Sequence, residues 1–270
     1  MDALSVKSLT LGYDDSTIID DISLTIPKGK ITILIGSNGC GKSTLLRAMA
    51  RLLPPKSGSV LLHETEIEKM PTNEVAKNLS ILPQSTHAPE GLTVLQLVKQ
   101  GRYPYQSWIK QWTEEDERAV DAALHATRVY DLAERKVESL SGGQRQRVWI
   151  AMTLAQQTDI LLLDEPTTFL DMTHQIEILD LLYDLNQLEQ RTIVMVLHDL
   201  NLACRYADHI IAIKDKKVFE QGKPENIITE ELIWKVFGLH CKVTFDPFSG
   251  TPLCVPYGKG RKLKGERKND

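Results

Sequence analysis

Gly36-Ser37-Asn38-Gly39-Cys40-Gly41-Lys42-Ser43 has the residue types and spacing of a phosphate cradle. Glycines at both ends let the backbone wrap closely around an anion, so that its N–H groups point inward. A helix beginning near Lys42 adds its positive dipole end. Lys42 supplies a point charge that can reach the β- and γ-phosphates of a nucleotide, and the Ser43 hydroxyl can ligate Mg²⁺. A second constellation is Asp164-Glu165, where the apolar run Ile160-Leu161-Leu162-Leu163 leads into two adjacent carboxylates and Pro166 ends the strand. The carboxyl end of a strand is where open α/β sheets hold ligands. Asp164 suits the Mg²⁺ shell, and Glu165 can orient or deprotonate an attacking water.

A third stretch, Leu140-Ser141-Gly142-Gly143-Gln144, carries two glycines and a serine but no lysine. Helical pattern follows from Gln144, so it reads as a weaker anion site at a helix N-terminus. Taken alone, Ser-Gly-Gly is a common turn. Gln144-Arg145-Gln146-Arg147 directly after it, and Asp164 20 positions beyond Gln144, favour the phosphate reading.

The elements that must hold these groups are legible from their periods. Ile31–Ile35 runs straight into the Gly36 loop, Thr192–Leu197 ends at His198, and Ile210–Ile213 reads as a further strand. Unbroken apolar runs of this kind suit strands covered on both faces, hence a parallel α/β sheet. Lys42 to Leu53, stopped by Pro54-Pro55, and Thr173 to Leu188, with Ile176, Leu179, Leu182 and Leu185 at every third position, predict helices. Leu4–Tyr13, Ile22–Ile26 and Ser59–Leu62 predict a small antiparallel sheet. From about Ala88 to Gln157 the pattern is helical, at Val94–Lys99, Glu114–Ala126 and Gln144–Ala155, which predicts an insertion between two strands.

At 270 residues with 42% hydrophobic and 25% charged residues, composition is that of a globular protein with an ample core. A net charge of −4 gives no reason to expect nucleic-acid binding across the surface. The end of the chain differs: Lys259, Arg261, Lys262, Lys264, Arg267 and Lys268 outnumber Glu266 and Asp270. This predicts a disordered, solubilising tail over 257–270, with contact to anionic lipid headgroups as the alternative. Cys40, Cys204, Cys241 and Cys254 show no C-x-x-C spacing, and Met1 to Thr10 is polar and mixed. Both fit a reducing cytosol, with no disulfide framework or zinc site. No apolar run approaches the roughly 20 residues that cross a bilayer.

Together, GSNGCGKST at Gly36–Thr44, LSGGQ at Leu140–Gln144 and LLLDEP at Leu161–Pro166 make the chain resemble the nucleotide-binding subunit of an ABC transporter, over about Leu4 to Gly238. The resemblance implies a P-loop NTPase ABC ATPase core of the α/β class, with an antiparallel β subdomain and a helical subdomain carrying the signature motif. It divides the chain into a single ATPase domain over 1–240, with core and β subdomain at 1–84 and 158–240 and the helical subdomain at about 85–157. A C-terminal extension, 241–256, and the basic tail follow.

By position in the family pattern, Gln84 resembles the glutamine that ligates Mg²⁺ and senses the membrane partner. Asp171 resembles the D-loop aspartate, and His198 the histidine that contacts the γ-phosphate. Without the resemblance these three are weak: a lone histidine at a strand end is more often structural. Tyr13 would stack on adenine, or be a rim aromatic. Ser37 stands where many members have proline and Phe169 where many have alanine. The cofactors implied are ATP and Mg²⁺.

The partners implied are a second copy, whose Ser141, Gly142, Gly143 and Gln144 cover the nucleotide held by the Gly36 loop of the first, separate membrane permease subunits and, indirectly, a substrate-binding protein. No nucleic acid is expected. The location implied is the cytoplasmic face of the cell membrane, peripherally. Gly101-Arg102-Tyr103-Pro104-Tyr105, and the stretch from Asp164 through Asp171 to His174-Gln175, most resemble iron–siderophore, haem and cobalamin import ATPases. The alternatives are another importer cargo and an ABC ATPase acting on DNA or ribosomes.

Overall fold

Period-two alternation inside wholly apolar strands sends alternate residues to opposite faces, so each face needs its own cover. The computed structural model describes residues 2–84, 88–106, 112–168 and 170–258. In chain order it begins β1 (Asp2–Tyr13), β2 (Ser16–Pro27), β3 (Ile31–Ile35), α1 (Lys42–Met49), β4 (Ser57–Leu62), β5 (Thr65–Glu66), α2 (Thr72–Asn78) and β6 (Leu79–Leu82). There follow α3 (Val94–Lys99), α4 (Glu114–Ala126), α5 (Gly142–Ala155), β7 (Ile160–Asp164), α6 (Met172–Glu189) and β8 (Thr192–Val196). The chain continues through α7 (Leu200–Tyr206), β9 (His209–Lys214), β10 (Lys217–Gly222), α8 (Pro224–Ile227), α9 (Glu230–Phe237), β11 (Cys241–Phe245) and β12 (Pro252–Pro256).

Two main sheets result. The six-stranded sheet has the order β10-β9-β3-β8-β7-β6, parallel except for the antiparallel edge strand β10. The four-stranded sheet, β2-β1-β4-β5, is antiparallel. The core divides by register. Leu34, Leu162, Val194, Val196 and Ile211 face the antiparallel sheet and α1. Ile33, Ile35, Leu161, Leu163, Ile193 and Met195 face the other way, in one continuous cluster with α6 and the helices of the 94–155 segment. The helical lobe therefore shares its core with one sheet face. Among the described residues, no helix is long and apolar enough to cross a membrane.

Several boundaries depart from the sequence reading. α1 stops at Met49 rather than Leu53, before the prolines are reached. Arg51 adopts φ 58°, its N–H bonds to the Ala48 carbonyl and that of Leu52 to the Arg47 carbonyl, a Schellman ending without a glycine. β2 begins at Ser16, six residues before Ile22, because polar residues alternate along its outer face. α5 begins at Gly142 rather than Gln144, since Ser141 caps it. In α6 the covered face is Ile178, Leu179, Leu182 and Leu185, with Ile176 only partly buried. The expected tail, apart from Tyr257 and Gly258, and Phe169 lie outside the described residues.

Candidate functional site

The loop between β3 and α1 is shaped by its glycines. A Cβ on Gly36, at φ 150°, would lie 2.3 Å from the Ile213 carbonyl oxygen and 2.7 Å from Cys40 Sγ. One on Gly41, at φ 105°, would lie 2.6 Å from Ile19 Cδ1. Both positions therefore need glycine for space as well as for backbone angle. The Lys42 ammonium turns back into the loop, donating to the carbonyls of Gly36 at 2.9 Å and Ser37 at 3.1 Å, with Cys40 Sγ at 3.8 Å. Lys42 is 6% exposed, so its charge is held inside the cradle.

From β7, Asp164 reaches the same place. Ser43 Oγ donates to Asp164 Oδ1 at 2.8 Å, joining the start of α1 to the end of the strand. The next residue turns sharply: Glu165 sits at φ 53°, a left-handed conformation that a side chain rarely adopts without surrounding support. That support is visible. Glu165 Oε1 lies 2.6 Å from His198 Nε2, Thr168 Oγ1 donates to Glu165 Oε2 at 2.9 Å, and Gln84 lines the same cavity.

The two carboxylates are tuned apart. Burial raises the Asp164 carboxyl above its ordinary range, and the neighbouring Glu165 charge adds to this against the Ser43 hydrogen bond. Burial also pushes on Glu165, but the hydrogen bonds from His198, Thr168 and Gln84 outweigh it and leave Glu165 below the usual range. Glu165 is thus an ionised acceptor, while Asp164 is a buried carboxylate whose charge calls for a cation. Ser43, Gln84 and Asp164 offer a set of hard oxygen donors, which fits Mg²⁺ better than softer metals.

Of the residues singled out in the sequence, Asn38, Gly39, Gly41, Lys42, Ser43, Thr44, Gln84, Glu165 and His198 line one open cavity of about 560 Å³. Gly36, Ser37 and Cys40 form the back of the loop through the Lys42 contacts. Tyr13, at the end of β1 and 43% exposed, does not line the cavity. Two lining residues were not anticipated, Ile18 and Thr168. Thr168 falls inside a stretch already quoted; nothing local marks Ile18, which arrives through the pairing of β2.

Ser141, Gly142, Gly143 and Gln144 lie elsewhere and do not line that cavity. Ser141 and Gln144 form a capping box at the start of α5: Ser141 Oγ accepts from the Gln144 N–H at 3.3 Å, and Gln144 Oε1 from the Ser141 N–H at 3.2 Å. A Cβ on Gly142 would meet nothing within 4 Å, and one on Gly143 would approach His174 Cδ2 at 3.3 Å. Asp171 caps α6, accepting from the His174 N–H at 3.0 Å and pairing with His174 Nδ1 at 2.8 Å. The His174 backbone bond first, then its ring, lowers the Asp171 carboxyl. The Gly36 loop and the Ser141–Gln144 cap of one chain are thus separate, the latter lying beside the start of α6.

The family model described as ABC transporter matches residues 19–168. The chain is 68% identical to the "Probable siderophore transport system ATP-binding protein YusV" of Bacillus subtilis, covering 98% of this chain and 97% of that protein. It is 64% identical to the petrobactin import ATP-binding protein FpuD of Bacillus anthracis, with coverage of 98% and 97%. The structure described as "An inward-facing conformation of a putative metal-chelate type ABC transporter" superposes with TM-score 0.82 at 30% identity, over 96% of this chain and 99% of the other. A dimeric ATP-binding cassette bound to ADP and Pi superposes with TM-score 0.72 at 29% identity, over 82% and 98%.

Proposed function

The chain belongs to the ABC transporter family, and on that premise we propose that it is the ATP-hydrolysing subunit of an importer for an iron–siderophore-type chelate. The observation that carries hydrolysis is that Lys42, Ser43, Gln84, Glu165 and His198 line a single cavity, with Asp164 hydrogen-bonded to Ser43 behind it. Lys42 exchanges the loop carbonyls for β- and γ-phosphate oxygens of ATP, and the loop N–H groups from Gly36 to Thr44 hold the rest of the triphosphate. Ser43, Gln84 and Asp164 would hold Mg²⁺, which would offset charge on the γ-phosphate. Glu165, kept ionised by its three neighbours, orients a water and takes its proton as the water oxygen attacks the γ-phosphorus and ADP leaves. His198, already within reach of Glu165, contacts the γ-phosphate. Tyr13, exposed at the end of β1, stacks on the adenine.

The working unit in this reading is a pair. Ser141–Gln144 sit away from their own chain's cavity, which supports their covering the nucleotide of a second copy, with Asp171 at the same seam. Dimeric cassettes of the family support the same arrangement. Residues 1–240 form one ATPase domain with a helical subdomain at about 85–157, and 241–256 form an extension. The pair sits peripherally at the cytoplasmic face of the cell membrane, on separate permease subunits fed by a substrate-binding protein, and the Gln84 region transmits its closure.

The cargo follows from the names of the relatives at 64–68% identity, since nothing in this chain touches a transported molecule. Haem, cobalamin or a metal ion is the alternative. Uptake of radiolabelled iron in cells whose only copy carries Glu165→Gln tests the cargo. Loss of ferric-siderophore uptake with normal cobalamin and haem uptake is expected. The reverse pattern would reassign the cargo.

A further inference from the structure

The hairpin of β11 and β12 lies beyond the residues matched by the family model, and the proposed reaction leaves it without a role. Two-stranded hairpins are marginal alone, so this one exists through what it packs on. It rests on α9 and on α7, the helix that starts two residues after His198.

The attachment to α7 is polar and two-sided. Asn201 Nδ2 donates to the Cys254 carbonyl at 3.3 Å and Asn201 Oδ1 accepts from the Cys254 N–H at 2.7 Å, so one amide side chain adds a rung to β12. One turn further on, Arg205 pairs with Asp246, which also accepts from the backbone N–H groups of Phe248 and Ser249 and so fixes the hairpin loop. Between these two anchors Cys204 is wholly buried beneath the hairpin residue Cys254, itself 6% exposed. Burial pushes both thiols up to about 12, so they act as packing groups. From the opposite side, Tyr206 Oη donates to Asp180 of α6 at 2.7 Å.

What α7 carries is the position of His198. Asp199 caps the helix, accepting from the N–H groups of Asn201 and Leu202, so the backbone immediately after His198 is locked to the first turn. The His198 side chain is 45% exposed, and its contact with Glu165 is a tight 2.6 Å. An exposed side chain meets so close a partner reliably only if its backbone is held.

We propose that the Cys241–Pro256 hairpin is a brace that positions His198 against Glu165 through Asn201 and Arg205, making these two positioning residues for hydrolysis. The proposal rests on the reading of Glu165 and His198 as the hydrolytic pair. Misplacing a catalytic group by about 1 Å costs on the order of 100-fold in rate. A helix loosened at one of two anchors should cost roughly tenfold by the same reasoning.

The test is steady-state MgATP hydrolysis by the full chain carrying Asn201→Ala or, separately, Arg205→Met, each repeated in a His198→Ala background with a radiolabelled phosphate-release assay. Each single substitution should lower kcat about tenfold and leave KM for ATP within about twofold. Neither should lower the residual rate of His198→Ala further, because the effect runs through His198. Equal losses with and without His198, or folded variants with unchanged kcat, would overturn the brace. A His198→Ala chain with the full rate would instead remove the hydrolytic role of His198, and the brace with it.

Discussion

Replacing Arg102 with methionine should destabilise the fold by roughly 4 kcal/mol, although Arg102 touches none of the chemistry. Arg102 and Asp116 are each 1% exposed, with Arg102 Nε 2.8 Å from Asp116 Oδ1. The same guanidinium donates to the Ala155 carbonyl and to Gln157 Oε1, both at 2.9 Å, and stacks over the Tyr105 ring at 3.9 Å. It thereby ties the segment before α4 to the C-terminal end of α5. Burial pushes the Asp116 carboxyl up, yet hydrogen bonds from Thr113, Arg102 and Gln106 bring it down to about 2.

The charge-assisted bond from Arg102 to the ionised Asp116 carboxylate, lost with the guanidinium, is worth about 2 kcal/mol. Two further hydrogen bonds lost at about 1 kcal/mol each bring the total to about 4 kcal/mol. That falls inside the roughly 3–5 kcal/mol seen when one partner of a buried pair is removed. At about 2–4 °C per kcal/mol for a domain near this size, Tm should fall by about 10 °C in a circular-dichroism melt at pH 7.

The pH dependence has a definite sign. A carboxyl depressed in the folded state stabilises above its unfolded value, and that contribution is lost as pH falls through about 2. The gap between wild type and variant should therefore narrow from pH 5 to pH 2. A Tm drop under about 3 °C at pH 7, or a gap that widens on acidification, would refute the reasoning.

Two further expectations concern the nucleotide. Ser141→Arg should block hydrolysis without weakening ATP binding to the isolated monomer, measured by calorimetry, because Ser141 does not line its own chain's cavity; equal loss of monomer affinity would assign the motif to its own nucleotide. Removing Mg²⁺ with EDTA should abolish phosphate release by at least about 100-fold, reversibly on adding Mg²⁺ back, since the charge on the γ-phosphate is then uncompensated; turnover that persists in EDTA would exclude the Ser43, Gln84 and Asp164 cluster as a metal site.

Much of this was legible in the sequence because local pattern and tertiary role coincide. Ile160–Leu163 is apolar throughout and Ile31–Ile35 apolar but for Thr32, and burial on both sheet faces is the consequence. The left-handed turn at Glu165 was not legible, since the contacts that hold its side chain come from His198, distant in sequence, as well as from nearby Thr168. The early stop of α1 was missed because Arg51 takes a conformation usually left to glycine. Gly101-Arg102-Tyr103-Pro104-Tyr105 was noticed only as a likeness. Its physical content is a glycine whose Cβ would lie 2.2 Å from the Met152 carbonyl oxygen, followed by a buried arginine hub. The hairpin of β11 and β12 gave no clear signal, because its strands are short and its anchor, Asn201, is an ordinary polar residue in sequence.

Glu165 as the base at a nucleotide shared by two copies is the central claim. The direct measurement is the mass of the Glu165→Gln chain by light scattering, with and without MgATP, beside its rate of phosphate release. Glutamine keeps the shape and the Thr168 hydrogen bond but cannot take the proton, so the rate should fall by roughly 100- to 10,000-fold. ATP should then accumulate unhydrolysed and convert the monomer to a dimer of twice 30.4 kDa. A variant that hydrolyses ATP at the wild-type rate, or one that binds ATP without turnover yet stays monomeric at high concentration, would contradict it.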